Sequence, residues 1–130
     1  MRRALELARR AQDEGEVPIG SVVVLNGIIV GEGWNRPIAA SDPTAHAEIQ
    51  AMRAAAAATG NYRLTGATLY VTLEPCEMCL GAMFHARIAR AAFGAADPKK
   101  KILKPQTVVE GGLLAEDCGA LLRTFFADKR

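Results

Sequence analysis

A chain of 130 residues, half of them hydrophobic and 23% charged, matches one compact domain with a real core, so residues 1–130 are read as a single domain. Its formal charge of +2, from 16 Lys and Arg against 14 Asp and Glu, is too small to mark a nucleic-acid binder by itself. No run of 18 apolar residues is present, which excludes a membrane-spanning helix, and three cysteines do not make the disulfide framework of an exported domain. The first residues also lack the apolar centre of a secretory signal, so a reducing cytoplasm is the expected setting.

Met1 to Glu14 carries Leu5, Ala8 and Ala11 on one stripe with Leu7 beside it, which predicts an amphipathic helix closed by Gly15. Two β-branched runs follow in VPIGSVVVLNGIIVGEGW, joined by Asn26-Gly27. That pair accepts positive φ at both central turn positions, so a tight hairpin is expected. NRPIAASDPT reads as a polar loop. Beyond it an alanine-rich helix is predicted from about Pro43 to Thr59, capped by Asp42 and ended by Gly60. ATLYVTL is a buried strand, and EPCEMCLGAMFHAR is a helix opened by a second acid-Pro pair. RIARAAFGA is a further strand, DPKKKILKP a basic connector, TVVEG a short last strand and LLAEDCGALLRTFFADK a closing helix. The order α-β-β-α-β-α-β-β-α implies a mixed sheet covered by helices on both faces.

Two fragments carry the chemistry: His46-Ala47-Glu48 and Pro75-Cys76-Glu77-Met78-Cys79. Cys76 and Cys79 are three apart, hence on one face of an opening helical turn. His46 falls in the first turn of the other helix. Both helices would then aim free N–H groups and positive dipole ends at one place, which favours thiolate, the form that ligates metal. One imidazole and two thiolates leave a tetrahedral zinc ion, one per chain, with a position open for water. A carboxylate two residues after the histidine could stand beside the metal without binding it. From there Glu48 would accept the proton of the metal-bound water and return protons to the substrate. A lone C-x-x-C or H-x-E is a weak signal; the two in this order, each on a helix, are a strong one.

At this point the sequence resembles the cytidine deaminase superfamily, and within it the bacterial tRNA-specific adenosine deaminases of TadA type. The likeness extends through EVPIGSVVV, GEGWNRPI, DPTAHAEI, NYRLTGATLYVTLEPCEMCLGAM and GGLLAEDCGALL. It implies a three-layer α/β/α sandwich with a five-stranded mixed sheet, and zinc-dependent hydrolytic deamination of adenosine to inosine. The substrate would be a nucleic-acid loop, with the tRNA anticodon arm the inherited target and single-stranded DNA a second candidate. By the same resemblance, Asn35 would hydrogen-bond the purine, Val17 and Pro18 would wall the base pocket, and the backbone around Ala47 and Glu74 would orient the attacking water. Asp97 would accept a hydrogen bond from a ribose 2′-OH, a donor that DNA lacks. Family members pair as homodimers, and that is the expectation here.

Plainer readings stand beside these. Asn35 also suits a turn before Arg36-Pro37, and Asp97 a loop cap before Pro98. Cys118 reads as a buried thiol, because a fourth protein ligand would close the metal site. His85 reads as a helix-end residue, and Phe125 and Phe126 as core rather than base-stacking groups. Two other functions remain open: deamination of a free base or nucleoside such as guanine or cytosine, and a zinc module that binds without turnover.

The sequence departs from the family between Asp97 and the last strand. A Gly/Ala/Ser-rich motif, a short helix and an Asn-His pair are replaced by KKKILKPQT. Parallel strands ordinarily need a crossover of a dozen or more residues, and Asp97 to Pro105 supplies nine. Extended at ~3.3 Å each they could still reach back along a strand, and because the closing segment GGLLAEDCGALL resembles the TadA type, a retained parallel last strand is preferred over an antiparallel one. The missing stretch bears on tRNA grip more than on catalysis. Lys99, Lys100, Lys101 and Lys104 would offer phosphate contacts in its place.

Overall fold

Helix α1 (Arg2–Asp13) buries Ala4, Leu5, Leu7, Ala8 and Ala11, the apolar stripe of its sequence. Gly15, at φ +80°, turns the chain out of it. Strands β1 (Gly20–Leu25) and β2 (Ile28–Trp34) pair antiparallel across Asn26 and Gly27, whose φ values of 52° and 76° make the expected tight turn. One helical turn, α2 (Pro37–Ala40), precedes α3 (Ala47–Thr59). Then come β3 (Thr68–Leu73), α4 (Glu77–Ala86), β4 (Arg90–Ala95), β5 (Val108–Glu110) and α5 (Ala115–Asp128). This computed structural model describes residues 1–99 and 107–128. Lys100, Lys101 and Lys104 of the basic connector, and Lys129 and Arg130, lie outside the described residues.

The five strands form one sheet in the order β2-β1-β3-β4-β5. β1 runs antiparallel to β2 and β3, while β3, β4 and β5 are parallel. The final pair keeps the parallel register Arg90 to Val108, as the family resemblance of the closing segment led us to expect. On one face, Ala51, Met52 and Ala55 of α3 and Cys79, Met83 and Ala86 of α4 bury Val23, Leu69 and Val71. On the other, Leu5 of α1 meets Cys118 and Leu122 of α5. The result is the α/β/α sandwich with a five-stranded mixed sheet. Full burial of side chains such as Leu69 and Val71 stabilises it by about 1.5–3 kcal/mol each.

Gly33 sets how closely α3 sits on the sheet. A Cβ there would collide with the Ala47 carbonyl oxygen and the Ala51 nitrogen, so only glycine lets the first turns of α3 lie against β2.

Several expected boundaries are corrected. α3 begins at Ala47, not near Pro43, because Asp42 Oδ1 accepts from the Thr44 backbone N–H (2.8 Å) and the Thr44 hydroxyl (2.7 Å). Those bonds close a local turn instead of capping a helix. α4 begins at Glu77, not at Glu74-Pro75, because Glu74 N still donates to Ala95 O at 2.9 Å beside the β3–β4 ladder. The segment NRPIAASDPT is not all loop; Pro37 starts a helical turn there, as its fixed φ suits. α5 starts after Leu114, whose φ of 56° is left-handed. Phe125 is core at 8% exposure but Phe126 is 52% exposed, since adjacent helical residues point about 100° apart and cannot both face the sheet.

Candidate active site

The two decisive helices begin at one end of the sheet. His46 is the N-cap of α3 and Cys76 the N-cap of α4, both with extended backbone. Both therefore stand one step before the first helical turn in which His46 and Cys76 were expected. Cys79 follows inside the first turn of α4 and is fully buried. The first N–H groups of both helices have no partner within their own helix, so two partial positive charges meet at these side chains.

Both sulfurs approach the same ring nitrogen. Cys76 Sγ and Cys79 Sγ each lie 3.6 Å from His46 Nδ1. With Zn–S of about 2.3 Å and Zn–N of about 2.0–2.1 Å, a tetrahedral ion separates sulfur and nitrogen ligands by roughly 3.6 Å. The donor atoms already stand at that spacing. Among the described residues, His46, Cys76 and Cys79 are the one group of this kind that could hold a metal ion, and three ligands leave a fourth tetrahedral position for substrate or water.

The charges at the sulfurs fit that use. The Cys76 thiol is pushed down to about 3, first by a hydrogen bond from Cys79 and then by His46. Cys79 is pushed up by the same shared bond, by burial and by the nearby Glu48 carboxylate. The thiolate is the form that ligates a metal, and binding one at these sulfurs would release their protons. Glu48, in the first turn of α3, is only 4% exposed and within hydrogen-bonding reach of Cys79. It adjoins the three donors without being one of them.

Ala47, Asn35, Val17, Pro18, Glu74 and Asp97 fall around this end of the sheet. Ala47, fully buried, is the first residue of α3. Asn35 ends the hairpin at 7% exposure, its N–H on the Ile19 carbonyl at 3.0 Å. Arg36 N donates to Ala45 O at 2.9 Å, which ties the Asn35 turn to the residue before His46. Pro18 is fully buried, and the half-buried Val17 packs toward the α1–α5 cluster with Leu73 and Leu114. Glu74 and Asp97 leave adjacent parallel strands, and the Asp97 N–H donates to Glu74 Oε1 at 2.9 Å. Cys118 is buried at 1% exposure, with its thiol pushed up by burial to about 11, and stands outside the metal-ligand group. His85 lies exposed in the last turn of α4, against the Phe84 ring.

Two carboxylates were not anticipated in these roles. The Glu74 side chain, and not only its backbone, holds the Asp97 loop. Glu16, at 2% exposure, accepts from the backbone N–H groups of Ile38 (3.2 Å) and Ala39 (2.8 Å). The available sequence signal was an acid set between Gly15 and an apolar Val-Pro pair, where a solvated charge would not be expected.

Comparison with known proteins bears on the same residues. The chain is 49% identical to the tRNA-specific adenosine deaminase of Haemophilus influenzae, over 100% of this chain and 83% of that protein. A solved structure from a study of A-to-I editing by tRNA:A34 deaminases at the wobble position of transfer RNA superposes with TM-score 0.87 and 42% identity, covering 92% of this chain and 95% of that one. A solved guanine deaminase from Nitrosomonas europaea gives TM-score 0.87 at 25% identity, covering 96% and 81%. Residues 1–95, which contain His46, Glu48, Cys76 and Cys79, match the cytidine and deoxycytidylate deaminase zinc-binding region, and the chain belongs to that family.

Proposed function

We propose that this chain hydrolyses adenosine to inosine in a tRNA anticodon loop, releasing ammonia. The observation that carries the reading is the buried Glu48 carboxylate set against a three-donor zinc site. A structural zinc site gains nothing from such a carboxylate, whereas a hydrolytic one needs a proton carrier beside the ion. When bound at His46, Cys76 and Cys79, zinc supplies a water whose pKa is lowered to roughly 7.

Glu48 would move both protons of the attacking water in turn, one to the purine ring nitrogen and one to the departing amine, so that water and adenosine balance against inosine and ammonia. The backbone around Ala47 and Glu74 orients the attacking oxygen. Asn35 hydrogen-bonds the base edge, and a neutral amide serves there because it can both donate and accept. Val17 and Pro18 wall the base. Asp97 accepts from the ribose 2′-OH, which favours RNA over DNA. Bases in a loop are already unstacked, so bringing one into the site costs less than extrusion from a duplex.

The relatives' substrates support tRNA as the partner, and with it a cytoplasmic setting. Among the described residues no helix is long and apolar enough to cross a membrane. We infer a homodimer as well. Its support is a groove of about 380 Å³ between α3 and α4, apolar along Ile49, Met52 and Ala82, with Tyr62 exposed at its edge.

The test is ammonia and inosine formation by the purified zinc-loaded protein on a tRNA anticodon hairpin, a matched DNA hairpin, free adenosine and free guanine. Turnover greatest on the RNA hairpin is the expected result. Turnover on guanine alone would transfer the reading to the free-base deaminases, whose fold is equally close. Zinc binding with no turnover on any of them would leave a binding module.

A further inference from the structure

Glu16 is a buried carboxylate with no cationic partner among the described residues. Its two oxygens divide their work: Oε1 accepts from Ile38 N at 3.2 Å and Oε2 from Ala39 N at 2.8 Å, the opening N–H groups of α2. That helix is one turn long and begins two residues after Asn35. It makes too few internal bonds to hold itself, because nucleating a helical turn costs more than one turn returns. Its own bonds use the N–H groups of Ala40, Ser41 and Asp42, and Glu16 takes the Ile38 and Ala39 N–H groups from outside the turn.

Four bonds connect this clamp to the site. Asn35 N reaches Ile19 O, Arg36 N reaches Ala45 O, and Glu16 grips the turn that follows. Glu16 is also the residue just before Val17 and Pro18. A single carboxylate thus joins the chain entering one proposed wall of the base pocket to the chain leaving Asn35. Burying a charge this way is a poor means of stabilising a fold, since desolvation offsets most of the attraction; what two directed, charge-assisted bonds supply is geometry.

We propose that Glu16 is a positioning residue for base recognition: it fixes the Asn35 turn against the Val17–Pro18 segment, and its loss is felt through Asn35. This rests on the reading above that Asn35 contacts the base.

The experiment is a double-mutant cycle on the zinc-loaded full chain with an anticodon RNA hairpin: wild type, Glu16→Ala, Asn35→Ala and the double variant, each with zinc content and melting temperature. Glu16→Ala is expected to lower kcat/KM about tenfold or more, mainly through KM, with one zinc per chain retained. The double variant is expected to match Asn35→Ala within about threefold, because a residue acting only through Asn35 has nothing left to act on. Multiplicative losses, or a Glu16→Ala loss wholly in kcat with zinc depleted, would overturn the positioning role while leaving the proposed function standing. No inosine from the wild type would remove both. If Glu16→Ala does not fold, Glu16→Gln enters the same cycle with the same criterion: it keeps the shape and one acceptor but turns an amide N–H toward a backbone donor.

Discussion

Glu74 Oε1 accepts the Asp97 backbone N–H at 2.9 Å, so the residue that precedes Pro75-Cys76 also holds the loop leaving β4. The two strand ends are parallel neighbours, paired as far as Leu73 and Ala95. Metal-ligand turn and Asp97 loop are thereby fixed to each other by one side chain. Asp97 in turn accepts from Lys99 N at 3.0 Å through Oδ1, which sets its carboxylate at the start of the connector.

That placement makes Asp97 a test of sugar discrimination. A carboxylate accepts from a 2′-OH and repels the phosphate backbone; an amide of the same shape does the first less well and the second not at all. Asp97→Asn is expected to narrow the ratio of rates on matched RNA and DNA hairpins, because it weakens a hydrogen bond that only RNA can supply. An RNA-to-DNA ratio equal to wild type would reject the role.

Glu48 is judged by separating binding from turnover. Glu48→Gln keeps volume and burial but cannot carry a proton. Its kcat is expected to fall by roughly 10²–10⁴-fold, the ordinary worth of a positioned acid-base group, with one zinc still bound. Metal analysis and kcat on the RNA hairpin together decide the matter. A full-rate, zinc-loaded Gln variant is incompatible with the mechanism.

Much of this was legible in the sequence because it depends on local chemistry. Asn26-Gly27 dictates its turn, Gly60 ends its helix, and His46, Cys76 and Cys79 are the side chains a zinc ion takes. The parallel last pair was expected from the likeness of the closing segment to its family, and the reach of an extended connector only allowed it. What was not legible depended on competition among partners distant in the chain. Asp42 could cap a helix or close a turn, and Thr44 decided for the turn. Glu74-Pro75 looked like a helix start until Ala95 claimed its N–H. Glu16 meets its partners more than twenty residues away, and no local pattern announces such a bond.

Metal removal should reach the fold as well as the chemistry. The three donors tie the N-caps of α3 and α4 together, and an ion bound to the native state alone stabilises by mass action, about 4 kcal/mol at a thousandfold excess over Kd. Chelation, or Cys76→Ala, is expected to abolish turnover and to lower the melting temperature by several degrees. Re-adding zinc should restore both to the chelated wild type and neither to Cys76→Ala. A chelated protein that melts where the zinc-loaded one does would show that the ion contributes nothing to holding the helix tips.

Gly33 offers a prediction that no catalytic residue enters directly. Adding a methyl group there drives it into the Ala47 carbonyl oxygen and the Ala51 nitrogen, both backbone atoms that cannot rotate away, and to within 2.7 Å of the Gln50 Cβ. Overpacking of this kind costs about 1–3 kcal/mol, and α3 relieves it only by lifting from β2. The residues lifted are Ala47 and Glu48, with His46 just ahead of them, so the strain is delivered to the site itself. Gly33→Ala is expected to lose several degrees of melting temperature and at least about tenfold in kcat/KM, since small misplacements of a proton carrier are costly. Gly81→Ala is the matched control: it lies inside α4, a Cβ there meets nothing within 4 Å, and helix propensity favours alanine by about 1 kcal/mol. Its melting temperature should be equal to or above that of wild type. If both alanine variants melt with wild type, close contact between α3 and the hairpin is not what sets the height of Glu48 above the sheet.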